Sequence, residues 1–172
     1  MDVVALLEEH LSRVHEHVHG IPDGLSAEQL ATPTEPGSNT IGWLLWHLTR
    51  VMDAHVAEIL DQPQVWEDPT VAARFGLEPD PANTGYGHSA REVLAVRPEG
   101  PEAITDYYDA VEAVTLAMVR DLTPDALDRI VDRRWDPPVT LGVRLVSIID
   151  DATQHAGQAA FVKGLLQRRG AR

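Results

Sequence analysis

The stretch from Leu141 to Leu166, LGVRLVSIIDDATQHAGQAAFVKGLL, decides the fold. It contains no proline, and its apolar residues recur at the spacing of a helix that turns one face inward. The same face carries Asp151 and His155, which are four positions apart and therefore stack one helical turn over the other. A carboxylate and an imidazole at this spacing can bind one metal ion together, or they can form a hydrogen-bonded pair in the core. A third candidate ligand elsewhere in the chain is needed to decide between a metal site and a hydrogen-bonded pair.

The composition restricts the classes of function. The chain has 172 residues, 44% of them hydrophobic, and a formal net charge of -13. This charge disfavours a nucleic-acid partner and an anionic membrane surface. No apolar run is long enough to cross a membrane and the N-terminus does not resemble a secretory signal, so we expect a cytoplasmic protein. Because there is no cysteine, a metal must be bound by His, Asp and Glu, and thiol chemistry needs an external thiol.

Amphipathic patterns predict four long helices and almost no strand. The helices cover Asp2–His19, Ile41–Asp61, Pro101–Leu122 and a last segment that follows a cap at Thr140. A long connection, residues 63–100, joins the second helix to the third, and residues 133–138 form a turn or a small extended arm. We therefore predict an all-α fold, a four-helix bundle with a long crossover between helices 2 and 3, in which residues 1–172 form a single domain.

His47 is the third candidate ligand, since it lies inside the apolar stretch of the second helix. In a bundle, inward side chains from facing helices meet in the core, which would bring His47 to Asp151 and His155. The i, i+4 spacing favours Asp151 over Asp150 as the inward carboxylate. Two imidazoles and one carboxylate suit zinc, with nickel or iron(II) as alternatives. Three protein ligands leave a position open, which is typical of catalytic rather than structural sites.

The remaining histidines are interpreted differently. The first helix carries His10, His15, His17 and His19. The last three are spaced by two, which spreads them over different faces of a helix, so we interpret this group as surface residues rather than metal ligands. His55 is predicted at the rim of the main site.

Two segments stand out for their pattern, Gly42–Arg50, GWLLWHLTR, and Gln154–Phe161, QHAGQAAF. They resemble the signature helices of the DinB/YfiT-like superfamily. The loop Thr84–Ser89, TGYGHS, extends the likeness, which covers most of the chain. The resemblance is closest to an actinobacterial branch linked to mycothiol-dependent enzymes.

The resemblance implies a metal site with a defined set of ligands. In that family one histidine on the second helix and a pair four apart on the last helix bind the metal, and the matching positions here are His47, Asp151 and His155. Many members have a histidine at the first position of the pair, whereas this chain has an aspartate. The mycothiol-dependent maleylpyruvate isomerases have a glutamate there, so a carboxylate is within the range of the superfamily. The implied cofactor is a divalent metal, and the implied co-substrate is mycothiol.

The main hypothesis is a metal-dependent thiol S-transferase or isomerase that activates mycothiol for attack on a small electrophile. The predicted substrate contacts are Trp43, Arg50, Tyr86, His88 and Arg144, with arginine suited to a carboxylate-bearing partner. One alternative is a hydrolase that uses the same ligands and a bound hydroxide. The other is a non-catalytic, metal-binding or dimeric bundle, in which the polar trio only fixes the register of the helices. A homodimer is a further prediction.

Overall fold

Four long helices make up the bundle. The structure is a computed structural model that describes residues 1–170, and its long helices are α1 (Val3–Gly20), α3 (Ile41–Leu60), α6 (Pro101–Arg120) and α7 (Leu141–Gly170). The short helices are α2 (Ala27–Leu30), α4 (Pro69–Ala73) and α5 (Ala90–Ala95), with 3-10 turns at Val65–Glu67 and Pro124–Asp128. Within the described chain, no helix is both long and apolar enough to cross a bilayer. The predicted all-α bundle with its long crossover between the second and third long helices is confirmed.

Two of the long helices, α1 and α3, begin at capping side chains. The Asp2 carboxylate accepts a hydrogen bond from the Ala5 backbone N–H at 2.9 Å. The Thr40 hydroxyl accepts one from the Trp43 backbone N–H at 3.0 Å. Each such cap satisfies a backbone donor that the helix itself leaves unpaired and contributes about 1 kcal/mol. The start of α3, and with it the rotation that sets which side chains face α7, is therefore encoded locally.

Helix α3 lies at the centre of the core. All ten residues from Ile41 to Arg50 are buried, which is the pattern of a helix covered on every side. Its most extensive packing is against α7, whose buried face is rich in the small residues Ala152, Ala156 and Ala159. Small side chains let the two helix axes approach closely. A polar side chain at position 47 is consequently enclosed between α3 and α7.

Arg50 anchors the crossover to the bundle. Its side chain is fully buried and forms an ion pair with Asp53, with Nη1 and Oδ2 separated by 3.2 Å. The same guanidinium donates to the carbonyl oxygens of Pro81 and Asn83 at 3.1 and 3.0 Å. The Tyr107 hydroxyl completes the network by donating to Asp53 at 2.7 Å. Charge-assisted hydrogen bonds of this kind hold the crossover loop against α3.

A short β-hairpin precedes α7, where the sequence predicted a turn or a small extended arm. Its strands β1 (Ile130–Asp132) and β2 (Val139–Thr140) pair antiparallel with an irregular register. The Asp132 carboxylate accepts from Arg134 at 2.9 Å and from Arg144 of α7 at 2.6 Å. The hydrogen bonds from Arg134, together with the charge of Arg144, hold the pKa of Asp132 well below its usual range. The hairpin is thereby attached to α7.

Candidate metal centre

Three predicted ligands converge between α3 and α7. His47 comes from α3, while Asp151 and His155 stand one turn apart on α7, and one candidate ligand atom from each lies within 4.8 Å of the others. The neighbouring Asp150 is exposed and accepts a hydrogen bond from Gln154 at 2.7 Å. Asp151 is therefore the carboxylate that faces α3.

His47 is held in one orientation by the crossover loop. A carbonyl oxygen can only accept, so the 2.6 Å contact with the Thr84 carbonyl means that His47 Nδ1 donates. Nε2 then keeps the lone pair that a metal needs. The ring stacks on Trp43 with centroids 4.6 Å apart. Burial lowers the pKa of His47, which keeps the imidazole neutral at pH 7, the form that binds metal ions.

Asp151 provides the observation that best separates a metal site from a hydrogen-bonded pair. Its Oδ1 lies 3.5 Å from His155 Nε2. Its Oδ2 is buried and has no hydrogen-bond partner in the described part of the chain. A buried acceptor without a partner costs about 1–3 kcal/mol, and more when it is charged. A divalent cation between Asp151 and the two imidazoles would remove that cost, so the residues fit a metal.

His155 is orientated from both sides. Its Nδ1 lies 3.1 Å from Gln158 Oε1, to which it donates, and its Nε2 faces Asp151. The interaction with Asp151 raises the pKa of His155, although partial burial opposes the shift. Without metal, this interaction favours the protonated form of the His155 ring. A metal ion would displace that proton, because the same Nε2 lone pair serves both.

The three side chains supply the donor set of an open divalent site. Two imidazoles and a carboxylate leave at least one coordination position for a small molecule. Since the protein contributes one negative charge, a bound divalent ion keeps a net positive charge. Such a charge lowers the pKa of a water or a thiol at the open position.

Comparison with known proteins identifies the family. The family model described as Mycothiol-S-transferase matches residues 3–167. The chain belongs to the mycothiol S-transferase family. Among solved structures, it is similar to a conserved protein from Enterococcus faecalis, whose crystal structure gives a TM-score of 0.87 at 29% sequence identity, covering 96% of this chain and 97% of that one. A search of curated proteins found no match. The resemblance seen in the sequence is thus confirmed.

Two of the predicted substrate contacts of this mycothiol S-transferase family member lie beside the trio. Trp43 stacks on His47, and its Nε1 donates to His88 Nδ1 at 3.1 Å. His88 therefore carries its proton on Nε2, which lies 2.9 Å from the Asn83 side-chain oxygen and donates to it. The edge of Trp43 also meets the His155 ring, with centroids 6.2 Å apart. Trp43 and His88 form one wall of the site.

The other three predicted contacts lie in different surroundings. Arg50 is fully buried in the network with Asp53 and the crossover carbonyls. Arg144 is also buried, bound to Asp132 and 3.2 Å from the ring of His55. Tyr86 is 94% exposed on the crossover loop. The structure thus groups Trp43 and His88 with the trio and places both arginines in buried ion pairs.

The part of the crossover loop that holds His47 was not predicted. At Gly85, φ is +92°, and a Cβ atom there would lie 2.8 Å from His47 Nδ1 and 2.9 Å from the Trp46 ring. Both the backbone conformation and the space available therefore require glycine. The signal in the sequence was the pair of glycines around Tyr86, which marks a tight loop but does not show what the loop touches.

A groove of about 600 Å³ lies near the trio, although none of the three candidate ligands lines it. It runs between the loop that precedes α3 and the outer face of α7, and its polar lining includes Ser38, Asn39, Gln154 and Gln158 beside the exposed ring of Phe161. Gln158 links the groove to the trio, because it also accepts from His155. A mixed polar and apolar lining suits a small molecule of similar character. A larger cleft, about 680 Å³, is lined by His55, Glu58 and Arg134 and contains none of the trio.

Proposed function

We propose that this chain is a divalent-metal-dependent thiol S-transferase, that its metal is zinc, and that its thiol is mycothiol. His47, Asp151 and His155 would bind the metal, and the chain would act as one domain. The observation that best supports a metal is the buried Asp151 Oδ2, which has no hydrogen-bond partner in the described part of the chain and lies near two imidazoles. Membership of the mycothiol S-transferase family supports the choice of thiol.

When bound, the metal would supply a positive charge that favours the thiolate of mycothiol over the thiol at neutral pH. The chain's own residues set where this happens. Thr84 fixes the tautomer of His47 through the carbonyl contact at 2.6 Å, and Gln158 does the same for His155. Trp43 covers the ring of His47 and limits the access of water. Such orientation of ligands by their neighbours is worth 10- to 100-fold in metal affinity, as an order of magnitude.

The transfer of the thiol needs no oxidant or reductant, because every bond that forms is matched by one that breaks. The thiol loses its proton, its sulfur forms a bond to the electrophilic carbon, and that carbon's bond to the leaving group breaks. The proton departs with the leaving group. If the reaction is instead an isomerisation, the sulfur adds to the substrate and is later released, so the thiol is regenerated.

The groove beside the trio is the proposed path for the thiol. Amide and hydroxyl groups of Ser38, Asn39, Gln154 and Gln158 would bind the polar body of mycothiol. Trp43 and His88 would contact the electrophile, and Tyr86 would cover it from the exposed loop. Arg50 and Arg144 would act indirectly, Arg50 by holding the loop that carries Thr84 and Arg144 by fixing the hairpin to α7.

The test compares purified protein without a metal-affinity tag with two variants, His47→Ala and the exposed control His17→Ala. Each is incubated with mycothiol and a panel of electrophiles, and the S-conjugate is measured by mass spectrometry before and after chelation. We expect the parent and the control to form the S-conjugate. Conjugate formation should stop after chelation and resume when zinc is returned. His47→Ala should form none with or without zinc. Conjugate formation that survives chelation, or that His47→Ala retains, would refute the proposal.

The alternatives give different outcomes in the same assay. A hydrolase would consume an ester or amide substrate in the metal-loaded state without any thiol. A non-catalytic bundle would leave every substrate unchanged. Either result, obtained with protein shown to contain zinc, replaces the transferase proposal.

A further inference from the structure

A second group of metal-binding side chains lies between α1 and α6, away from the pair α3 and α7. It contains His15 and His19 on α1 and Asp109 and Glu112 on α6. The candidate ligand atoms of His15, His19 and Asp109 all lie within 4.8 Å of one another. The spacing of two between neighbouring histidines of α1 predicts surface residues on different faces. His15 and His19 are themselves four apart, which places them on one face.

The two imidazoles are arranged as a chelating pair. Their rings stack with centroids 4.1 Å apart and an interplanar angle of 23°. His19 Nε2 lies 2.7 Å from Asp109 Oδ1, and His15 Nδ1 lies 2.7 Å from Glu112 Oε2. Asp109 Oδ1 also lies 3.9 Å from His15 Nδ1, so this oxygen is close to a nitrogen of each ring.

The contact between His19 and Asp109 is close to the spacing in a tetrahedral zinc site. With bonds of about 2.0–2.2 Å, neighbouring ligand atoms of such a site lie about 3.3 Å apart. The 2.7 Å contact between His19 and Asp109 would lengthen by about 0.6 Å around a cation. Both side chains are exposed enough for small rotations of that size.

Charge also favours a cation in this position. Two carboxylates, those of Asp109 and Glu112, face the two stacked imidazole rings. Two neutral imidazoles and two carboxylates carry a charge of minus two, which one divalent ion balances. Glu112 is nearly buried and its second oxygen accepts a hydrogen bond from Tyr108 at 3.4 Å, so one carboxylate is already held in place. The histidine side chains are 41% and 36% exposed, which leaves an ion a path from solvent.

We propose that His15, His19 and Asp109 form a second divalent-metal site, best suited to Zn²⁺, that ties α1 to α6, while Glu112 holds the ring of His15. The site joins two helices and lies apart from the trio, so we assign it a structural role. The site stabilises the folded state because the unfolded chain does not bring the two helices together. It does not depend on the thiol chemistry, since none of its residues belongs to the trio.

The test is zinc stoichiometry and thermal stability of the full chain without an affinity tag. Metal-free protein is titrated with zinc against a chromophoric chelator, and the unfolding temperature is followed with and without zinc. We expect about two equivalents for the parent and for the control His17→Ala, and about one for His19→Ala and for Asp109→Asn. In His47→Ala, one equivalent should remain, and zinc should still raise the unfolding temperature.

The outcomes separate this site from the trio. Loss of all zinc in His47→Ala would refute the second site while leaving the first. Two full equivalents in both His19→Ala and Asp109→Asn would refute it as well. Asp109→Asn changes one exposed group without changing its shape, so it keeps the test valid if His19→Ala fails to fold. One equivalent in the parent that disappears only in Asp109→Asn would support the second site and refute the trio.

Discussion

The most informative substitution is Gly85→Ala, because it perturbs the trio through a residue that is not itself a ligand. The added Cβ would lie 2.8 Å from His47 Nδ1 and 2.9 Å from the Trp46 ring, closer than real contacts allow. The loop must therefore move outward, and the 2.6 Å hydrogen bond from His47 to the Thr84 carbonyl is lost. His47 is then free to change tautomer and orientation.

The chain supplies a matched control in Gly87→Ala. Gly87 also has a positive φ, +77°, but no atom lies within 4 Å of its added Cβ. Both substitutions incur the backbone cost of alanine at positive φ, about 1 kcal/mol. Only Gly85→Ala also breaks the hydrogen bond from His47 to the Thr84 carbonyl, which contributes about 0.5–1.5 kcal/mol to stability. The loss of this bond also leaves the His47 ring without a fixed orientation, which should lower zinc affinity by about 10- to 100-fold.

The two variants are compared by urea unfolding of the metal-free protein and by zinc competition with a chelator. We expect Gly87→Ala to keep the affinity of the parent at the trio, and Gly85→Ala to lose about 10- to 100-fold there. Equal zinc affinities for the two variants would refute the argument that the loop orientates His47. A loss confined to stability, with zinc affinity unchanged, would refute it as well.

Three further predictions concern the same region. Asp151→Asn keeps the shape of the side chain but removes its charge, so zinc affinity at the trio should fall by at least about 100-fold, and NMR of the metal-free variant should show the pKa of His155 falling from its raised value. In the metal-free parent, the raised pKa of His155 adds stability that is fully present below about pH 6.5 and is lost as pH rises through the folded pKa. The lowered pKa of His47 costs stability as pH falls below about 6.5, because burial disfavours the charged ring. NMR titrations should therefore show His155 losing its proton at a higher pH than His47, and zinc affinity should fall as pH drops through the pKa of His155. Arg50→Met leaves Asp53 buried without its partner, and urea unfolding should show a loss of about 3–5 kcal/mol.

Local signals in the sequence were sufficient for the helices and for the trio. Amphipathic spacing predicts that α1 and α3 begin at Asp2 and Ile41, and the structure places both helix starts within a residue of these positions. The spacing of Asp151 and His155 fixes their common face by helix geometry alone. His47 could be joined to them because an inward polar residue in a bundle has few other partners.

Contacts made by loops were beyond prediction from the sequence, because they depend on where a long segment crosses the bundle. The sequence predicts Arg50 as a substrate contact, since nothing local shows that the Pro81 and Asn83 carbonyls fold onto it. Arg144 likewise meets Asp132 only through the hairpin. The pairing of His15 with Glu112 requires knowing that α1 packs on α6.

The metal ligands are tested most directly by the zinc content of His19→Ala protein, in which the second proposed site is removed, with and without His47→Ala. We expect about one tightly bound equivalent in the single variant, with chelation abolishing mycothiol transfer, and none in the double variant. Zinc that remains in the double variant, or a single variant that binds none after exposure to excess zinc, would contradict the assignment of His47, Asp151 and His155 as the metal ligands.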